Sequence, residues 1–360
     1  MSTPDTPDSP NGAVNPDGVE STDEEFVPSA HPRGTKNGRK VLVVLAALIL
    51  VLGSLIGVGA WWINSKFGQI EQIADPFTKI ETPRPEPVQP EDERPVNILI
   101  LGSDSRTSGG DLKAIAQGGT RSDALMIMQI SGDRGKVNVM SIPRDSWVPI
   151  PGHGDAKINA ALAFGGPSLA ISTVEQLTNI PIDHVALMDF TSFVKLTDLV
   201  GGVDLTSTTE GTKHYSGAEA LAFVRERKSL VGGDFDRVRR QQLWMSTVMK
   251  QVLTADTLNS PTKILDLYNA MSPYVAVDDS LGMTEIASLA ASMTDVRSDD
   301  FQFITVPVAG TGTSADGQSI VNLDMDRAAP LFDAFVQDNA TSYIAANQGE
   351  LRSIDSEPVR

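Results

Sequence analysis

Arginine and aspartate side chains recur at the ends of apolar segments in this 360-residue sequence. The motif G-S-D-S-R at 102–106 follows a first apolar run, T-R-S-D at 120–123 precedes a second, and S-I-P-R-D-S at 141–146 ends a third. Farther along, R-x-R at 225–227 is followed by G-D-x-x-R-x-R-R-Q-Q at 233–242. Loops at strand ends are where binding and catalytic residues are usually placed, so these motifs form the candidate site.

This combination of residue types indicates an anionic ligand held together with a divalent cation. The planar guanidinium group of arginine pairs bidentately with phosphate oxygens. Carboxylates are ligands for a hard cation such as magnesium, which bridges phosphate oxygens. The pattern therefore favours a pyrophosphate site. The alternative is that each arginine pairs with a neighbouring acid on a solvated surface, and the pattern alone leaves both interpretations open.

Several other kinds of site are excluded or unsupported. The chain has no cysteine, which excludes disulfides, thiolate zinc sites and cysteine nucleophiles. Residues 132–136 give G-x-x-G-K, not the spacing of a nucleotide-binding P-loop, and neither G-x-S-x-G nor G-x-G-x-x-G occurs. The four histidines lie far apart, and the net charge of −17 argues against a nucleic-acid binder.

Hydrophobic periodicity predicts the elements that must position these motifs. Strands are predicted at 96–101, 124–130, 137–142, 184–188 and 301–308, and helices at 160–178, 191–200, 217–227 and 236–253. The segment S-G-D-R-G at 131–135 is typical of a hairpin connection, and Gly165-Gly166 is expected to interrupt the first helix. The predicted fold class is α/β (α+β): a mixed, largely antiparallel central sheet flanked by helices and preceded by one transmembrane helix.

The transmembrane helix is predicted from an uncharged apolar run at 41–62. At 1.5 Å per residue this run is about 33 Å long, enough to cross a hydrocarbon core of about 30 Å. It is longer than the apolar part of a cleaved signal peptide, and it ends in Trp61 and Trp62, which suit the membrane interface. Cations at 33–40 directly precede it, so the positive-inside rule predicts a cytoplasmic N-terminus and an extracytoplasmic domain.

The predicted organisation therefore has five parts. Residues 1–40 are a disordered acidic cytoplasmic tail, since the first thirty residues contain seven acidic side chains and no cation. Residues 41–63 are the single transmembrane helix, which places the protein in the cell membrane. Residues 64–95 are a proline-rich linker that holds the domain off the bilayer. Residues 96–345 are the catalytic domain, and residues 346–360 are a C-terminal tail.

Eight segments of this domain occur in the order found in one known family. They are NILILGSDSR, TRSDALM, SIPRDSWVPIPG, KINAALAFGGP, DHVALMDF, LVGGVDL, ALAFVRERKSL and GDFDRVRRQQ. Each segment alone is a weak signal, but together they closely resemble the LytR–CpsA–Psr family of bacterial cell-envelope proteins. The resemblance is continuous over about 96–253 and extends, with less definite motifs, to about residue 345.

The resemblance implies a phosphotransferase of cell-wall assembly, which moves a glycopolymer from a polyprenyl-pyrophosphate carrier to peptidoglycan. A glycan hydroxyl would attack the sugar-proximal phosphorus, polyprenyl phosphate would leave, and a phosphodiester link would remain. The implied partners are the carrier-linked glycopolymer, the peptidoglycan acceptor and the membrane through residues 41–63, with no nucleic acid. A hydrolase acting on the carrier pyrophosphate and a non-catalytic lipid-binding scaffold are the alternatives.

The resemblance also implies roles for individual residues. Asp104 and Asp123 would hold Mg²⁺, with Asp111 as a competitor for the position of Asp104. The pyrophosphate oxygens would be bound by Arg144, Arg225, Arg227, Arg237, Gln241 and Lys157, with Arg121 and Asp234 in support. Asp123 and Arg144 are the predicted catalytic residues, Asp123 acting either as the base or only as a metal ligand. The lipid tail is expected in an apolar groove lined by Phe164, Leu169, Val174 and Phe193.

Overall fold

A seven-stranded sheet lies at the centre of the part of the chain that the structure describes. The structure is a computed structural model, and it describes residues 70–103, 112–226, 234–252, 260–351 and 359. The predicted tail at 1–40 and the predicted transmembrane helix at 41–63 lie outside these residues. Within the described ranges, no helix combines the length and the apolar character needed to cross a membrane.

Strands and helices are intermixed along the chain, as the sequence predicted. The strands are β1 (Glu71–Ile73), β2 (Val96–Ser103), β3 (Ser122–Ile130), β4 (Val137–Ile142), β5 (Trp147–Ile150), β6 (Gly154–Lys157), β7 (His184–Asp189), β8 (Val203–Ser207), β9 (Gly211–Tyr215), β10 (Val275–Asp278), β11 (Phe301–Thr305), β12 (Val308–Thr313) and β13 (Ser319–Leu323). The helices are α1 (Leu112–Ala116), α2 (Ala160–Thr178), α3 (Phe190–Leu199), α4 (Gly217–Arg225), α5 (Asp234–Val252), α6 (Pro261–Met271), α7 (Met283–Ser292), α8 (Met325–Val336) and α9 (Ala340–Ala346). Short 3-10 turns occur at Glu91–Glu93, Ser272–Tyr274 and Ser298–Asp300.

The central sheet is mixed, with the strand order β1-β10-β7-β2-β3-β4-β11. The pairs β2–β3, β3–β4 and β10–β7 are antiparallel, whereas β1–β10, β2–β7 and β4–β11 are parallel. The mixed character is confirmed, but the expectation of a largely antiparallel sheet is wrong. The antiparallel β3–β4 pair is visible in the sequence because a short turn segment connects its strands. The parallel pairs instead join distant segments, which hydrophobic periodicity does not reveal.

The sheet carries helices on both faces because side chains alternate along each strand. Leu99 and Leu101 of β2 point into a core formed with α2 and α8. Met126 of β3 and Val139 of β4 point to the opposite face, where α3, α4 and α5 pack. The result is a three-layer α/β/α arrangement, with helices packed on each face of the central sheet.

Helix α2 has a kink at the predicted position. Gly165 and Gly166 leave helical geometry, Gly166 with φ 64° and ψ −160°, and the helix resumes at Pro167. A positive φ of this kind is accessible to glycine at little steric cost, so the glycine pair explains the interruption.

The segment before β2 packs on the domain rather than forming a spacer. Strand β1 pairs with β10, and Ile73 is buried in the main core. The guanidinium group of Arg84 pairs bidentately with the carboxylate of Glu175 on α2, at 2.7 and 3.0 Å. Gln89 donates to the carbonyl of Val336 at 2.8 Å. The predicted linker at 64–95 is therefore wrong for the described residues 70–95, which extend the domain upstream of 96.

The folded domain also extends beyond residue 345, its predicted C-terminal boundary. Helix α9 ends at Ala346, and Leu351 lies buried in the main core. Val359 packs with the second core and accepts a hydrogen bond from the amide of Thr208 at 2.8 Å. Proline content and low periodicity suggested a linker and a tail, but neither property reports whether an irregular segment is packed.

We expect Arg84→Ala to lower the free energy of unfolding of the full chain by roughly 3 kcal/mol. The carboxylate of Glu175, whose side chain is 2% exposed, would keep its charge and lose its cation. Urea unfolding in detergent measures the change, with Lys79→Ala as a matched control in the same segment, because Lys79 is exposed. Equal stability of the two variants would contradict packing of this segment on α2.

Candidate functional site

The predicted polar motifs meet at one edge of the sheet, where β2, β4 and β7 end and β3 begins. Ser103 at the end of β2 lies opposite both Ser122 of β3 and Asp189 of β7. In the antiparallel β3–β4 pair, Leu125 lies opposite Ile142. Continuing this register by two residues brings Asp123 opposite Arg144, so strand pairing alone directs these two side chains toward each other.

A cluster of two cations and two carboxylates lies at this edge. Arg144 donates through Nη1 to Oδ1 of Asp123, and its Nε lies 3.7 Å from Oδ2 of Asp145. Lys157, at the end of β6, lies 3.2 Å from Oδ1 of Asp145. All four side chains are about one fifth exposed or less, which strengthens their interactions relative to a solvated surface. The structure thus brings together Asp123, Arg144 and Lys157 as predicted.

Asp145 is the member of this cluster that the sequence analysis missed. It directly follows Arg144 in the S-I-P-R-D-S motif, so the signal was present. By bridging Arg144 and Lys157 it holds the two cations at the same place. We interpret Asp145 as a positioning residue of the cluster.

An apolar pocket with a cavity volume of about 70 Å³ opens beside Asp123, on the face of the sheet covered by α3, α4 and α5. Its lining is Ile100, Gly102, Ser103, Asp123, Ala124, Met126, Met188, Asp189, Phe193, Val224, Gln241, Trp244 and Met245. Phe193 and Trp244 form its aromatic wall, with stacked rings whose centroids are 3.8 Å apart. Two carboxylates and the Gln241 amide are the charged and amide groups in this otherwise mainly apolar lining, so the pocket suits a molecule with a long apolar part and a polar end.

Of the predicted lipid-groove residues, Phe193 lines this pocket and the other three do not. Leu169 and Val174 belong to the core on the opposite face, and Phe164 is exposed on the same helix. These three lie away from the pocket because α2 packs on the other side of the sheet, a choice of face that the apolar pattern of a helix does not specify.

Helix α5 is anchored so that Gln241 faces the pocket. The buried amide of its neighbour Gln242 donates to the Ser141 hydroxyl, the Ile304 carbonyl and the Thr305 hydroxyl, at 2.9 to 3.0 Å. These bonds tie α5 to the ends of β4 and β11. Such a buried network fixes the rotation of the helix about its axis.

The arginines of α5 have different surroundings. Arg239 pairs with Asp236 at 2.9 Å, and Arg240 stacks on Phe223 at 3.9 Å while donating to its carbonyl. Burial lowers the pKa of Arg240, and the guanidinium group is basic enough to stay charged at neutral pH. Arg237, a predicted pyrophosphate ligand, is 2% exposed at the N-terminal end of the helix. Its role stays a prediction.

The remaining predicted site residues are only partly described. Arg225 ends α4 and is partly exposed, and Arg121 is exposed, with its carbonyl accepting from the Ser103 hydroxyl at 3.0 Å. Residues outside the described part of the chain are Asp104, Asp111, Arg227 and the side chain of Asp234. Their predicted roles are not tested by the geometry.

Oxygen donors occur close in the fold to Asp123. The buried side-chain oxygens without a hydrogen-bond partner among the described residues include those of Thr120, Ser122 and Asn159. The backbone of Asn159 bonds that of both Arg144 and Ser122, which places these residues at the same edge. Among the described residues, no group of three or more acidic or histidine side chains could hold a metal ion. Oxygen atoms of this kind are the ligands that magnesium prefers, and the role of Asp123 as a metal ligand stays a prediction.

A cluster of arginine, lysine and carboxylates next to an apolar pocket suits a class of protein that handles an amphipathic ligand with a charged end. The LytR_cpsA_psr family model matches residues 66–335. The chain therefore belongs to the LytR–CpsA–Psr family, which confirms the resemblance found in the sequence. The match starts upstream of β1, in agreement with the packing of residues 70–95 on the domain.

Two relatives and one solved structure illustrate the similarity. Cell wall biosynthesis protein LcpA of Corynebacterium glutamicum is 28% identical over 66% of this chain, which spans 54% of LcpA. Polyisoprenyl-teichoic acid–peptidoglycan teichoic acid transferase TagU of Enterococcus faecalis is 30% identical over 80% of this chain and 93% of its own length. The crystal structure of TagV of Bacillus subtilis matches with a TM-score of 0.57 and 25% identity, over 69% of this chain and 98% of TagV.

We expect Gly217→Ala to lower the free energy of unfolding by about 1–3 kcal/mol and to displace α4, which carries Arg225. A Cβ at this position would lie 2.3 Å from the carbonyl oxygen of Val194 on α3. Gly349→Ala is the control, because nothing lies within 4 Å of the added carbon there. Urea unfolding compares the two variants, and a stability loss no larger at Gly217 than at Gly349 would contradict the close approach of α3 and α4.

Proposed function

We propose that this protein is a phosphotransferase that moves a glycopolymer from a polyprenyl-pyrophosphate carrier to peptidoglycan. The observation that carries the proposal is the Arg144–Asp123 pair at the mouth of the apolar pocket. Family membership supports it, as does the similarity to TagU, named as a transferase between polyisoprenyl-teichoic acid and peptidoglycan.

The two halves of the site match the two ends of such a carrier. A polyprenyl chain is apolar and would occupy the pocket walled by Phe193 and Trp244. Its pyrophosphate would lie at the edge of the sheet, where Arg144 and Lys157 supply positive charge. Binding there would draw both cations from their carboxylate partners toward the phosphate oxygens. Arg225, Arg227, Arg237 and Gln241 would complete the anion site.

In the proposed reaction, a hydroxyl oxygen of the peptidoglycan glycan attacks the sugar-proximal phosphorus. The bond from that phosphorus to the bridging oxygen breaks, polyprenyl phosphate leaves with the electron pair, and a phosphodiester link remains. Asp123 accepts the proton of the attacking hydroxyl. Arg144 stays protonated and stabilises the charge that develops on the phosphoryl oxygens.

Magnesium is part of the proposal. Asp123 and Asp104 would hold the ion, with Asp111 as the competing ligand for the second position. The bound ion would neutralise pyrophosphate charge and so lower the barrier to attack by a neutral hydroxyl. The unpartnered buried oxygens near Asp123 support an oxygen-rich cation site.

An extracytoplasmic location is proposed from the sequence. The apolar run at 41–62 and the cations before it support a single-pass anchor in the cell membrane with the domain outside. The proposed chemistry is compatible with that compartment, because the pyrophosphate bond of the carrier supplies the driving force and no nucleotide is required.

We expect Arg144→Ala and Asp123→Asn each to reduce transfer at least 100-fold, because each removes a group that acts on the developing charge or the transferred proton. The assay follows phosphodiester-linked product from a synthetic lipid-pyrophosphate glycan and peptidoglycan oligomers, using the full chain in detergent. Arg327→Ala is the matched control, because Arg327 is a partly exposed arginine on α8 with an ion pair to Asp324.

Three outcomes of this assay would contradict the proposed mechanism or function. Unchanged transfer in both variants would remove the Arg144–Asp123 pair from the mechanism. Release of polyprenyl phosphate without glycan transfer would identify a hydrolase. Lipid binding without turnover in the unaltered chain would identify a scaffold.

We expect removal of divalent cations with EDTA to abolish transfer and added Mg²⁺ to restore it. In calorimetry without carrier, Asp123→Asn should weaken Mg²⁺ binding at least tenfold, because the amide lacks the charge that favours a hard cation. Asp316→Asn, in the exposed turn between β12 and β13, should bind like the unaltered chain. Full activity in EDTA, with unchanged calorimetry, would refute the magnesium assignment.

A further inference from the structure

A second recess lies on the opposite side of the catalytic edge from the apolar pocket. It is an open groove with a volume of about 410 Å³ between the β5–β6 turn, the kinked part of α2 and the upstream segment 79–82. Its polar lining includes Lys79, Glu81, Thr82, His153 and Ser168. The hydroxyls of Thr82 and Ser172 are 2.6 Å apart at its base. Hydroxyls, a lysine and an imidazole make this groove chemically unlike the apolar pocket.

Two stacked rings mark the edge of this groove. The ring centroids of His153 and Phe164 are 4.7 Å apart, with planes inclined by 21°. Phe164 is 49% exposed, although a phenylalanine is usually buried. Its position follows from the kink, because Gly165 and Gly166 end the first part of α2 directly after it. Exposed aromatic faces in a polar groove are suited to ligands that have an apolar face and a polar rim, as pyranose rings do.

The aromatic pair is linked to the catalytic cluster through two short elements. Strand β6 carries Lys157 at its end and starts just after His153, a separation of about 13 Å along the strand. Helix α2 starts after Asn159, whose amide donates to the carbonyl of Arg144 at 3.1 Å. Phe164 lies about 7 Å farther along that helix. The backbone of His153 therefore lies within roughly 13 Å of that of Lys157.

The geometry of the proposed reaction indicates which substrate binds in this groove. In a phosphoryl transfer, the attacking oxygen, the phosphorus and the leaving oxygen lie roughly in line. The leaving group is polyprenyl phosphate, whose chain would occupy the pocket on the α3–α5 face. The attacking hydroxyl must therefore approach from the opposite side of the phosphorus, toward the β5–β6 turn and α2. The glycan that carries the hydroxyl would extend along this side.

We propose that the groove at His153 and Phe164 is the subsite for the peptidoglycan acceptor, an N-acetylated amino-sugar chain. This inference rests on the proposed function and adds the location of its second substrate. A sugar ring stacks on Phe164, the hydroxyls of Thr82 and Ser168 bond its polar groups, and Lys79 pairs with an acceptor carboxylate. Because the upstream segment 70–95 packs on the domain, it contributes residues to this subsite.

The test separates acceptor binding from carrier binding in the full chain. Phe164→Ala should raise KM for peptidoglycan oligomers at least tenfold, while kcat and the affinity for the lipid-pyrophosphate carrier change less than twofold. Phe164→Trp should restore KM, because it supplies another exposed ring. Met325→Ala is the control, since Met325 is a similarly exposed apolar side chain on α8.

A second measurement needs no turnover. Calorimetry with peptidoglycan oligomers alone should show binding to the unaltered chain and at least tenfold weaker binding to Phe164→Ala and to His153→Ala. Transfer activity with an unchanged acceptor KM and unchanged binding in these variants would overturn the subsite and leave the proposed function intact. Glycan binding that depends on Phe164 in a chain without transfer activity would overturn the proposed function and leave a glycan-binding groove. An equal loss of carrier and acceptor affinity would show a general structural effect and overturn the subsite.

Discussion

The register of the β3–β4 hairpin is the constraint on which the candidate site depends. Because Leu125 lies opposite Ile142, Asp123 at the start of β3 faces Arg144, which lies two residues past the end of β4. A slip of one residue would turn both side chains to other faces of the sheet. The buried strand β4 resists such a slip, since all six of its residues are buried. The ion pair at the edge is therefore fixed by apolar packing well away from it.

The three-layer arrangement gives this edge two chemically distinct sides. Helices α3, α4 and α5 leave an apolar cavity on one face, whereas α2 and the β5–β6 hairpin form a polar groove on the other. The charged cluster of Arg144, Asp145 and Lys157 lies between them. An enzyme that joins a lipid-linked molecule to a hydrophilic polymer needs such a division, because one binding surface cannot favour both substrates.

The sequence predicted best those features that depend on residues close together in the chain. Strand β4 and helix α2, including its glycine kink, were predicted with their observed bounds, and Asp123, Arg144 and Lys157 do meet. The parallel strand pairs, the packed segment before β2 and the face on which α2 lies were not predicted. Each of these depends on contacts between residues far apart in the chain, which composition and periodicity do not encode. Asp145 was overlooked for another reason: an acid beside a basic residue has the appearance of an ordinary surface pair.

Strand β1 has a consequence for how the domain is made. It is the first strand to be synthesised among those described, yet its partner β10 is encoded roughly 200 residues later. At translation rates of about 5–20 residues per second, β1 would wait roughly 10 to 40 s before it could pair. Loop closure over such a distance is slow, so the central sheet is expected to complete its outer edge late in folding. Until then, the N-terminal part of the domain presents an unpaired strand, whose free backbone groups are open to pairing with another chain.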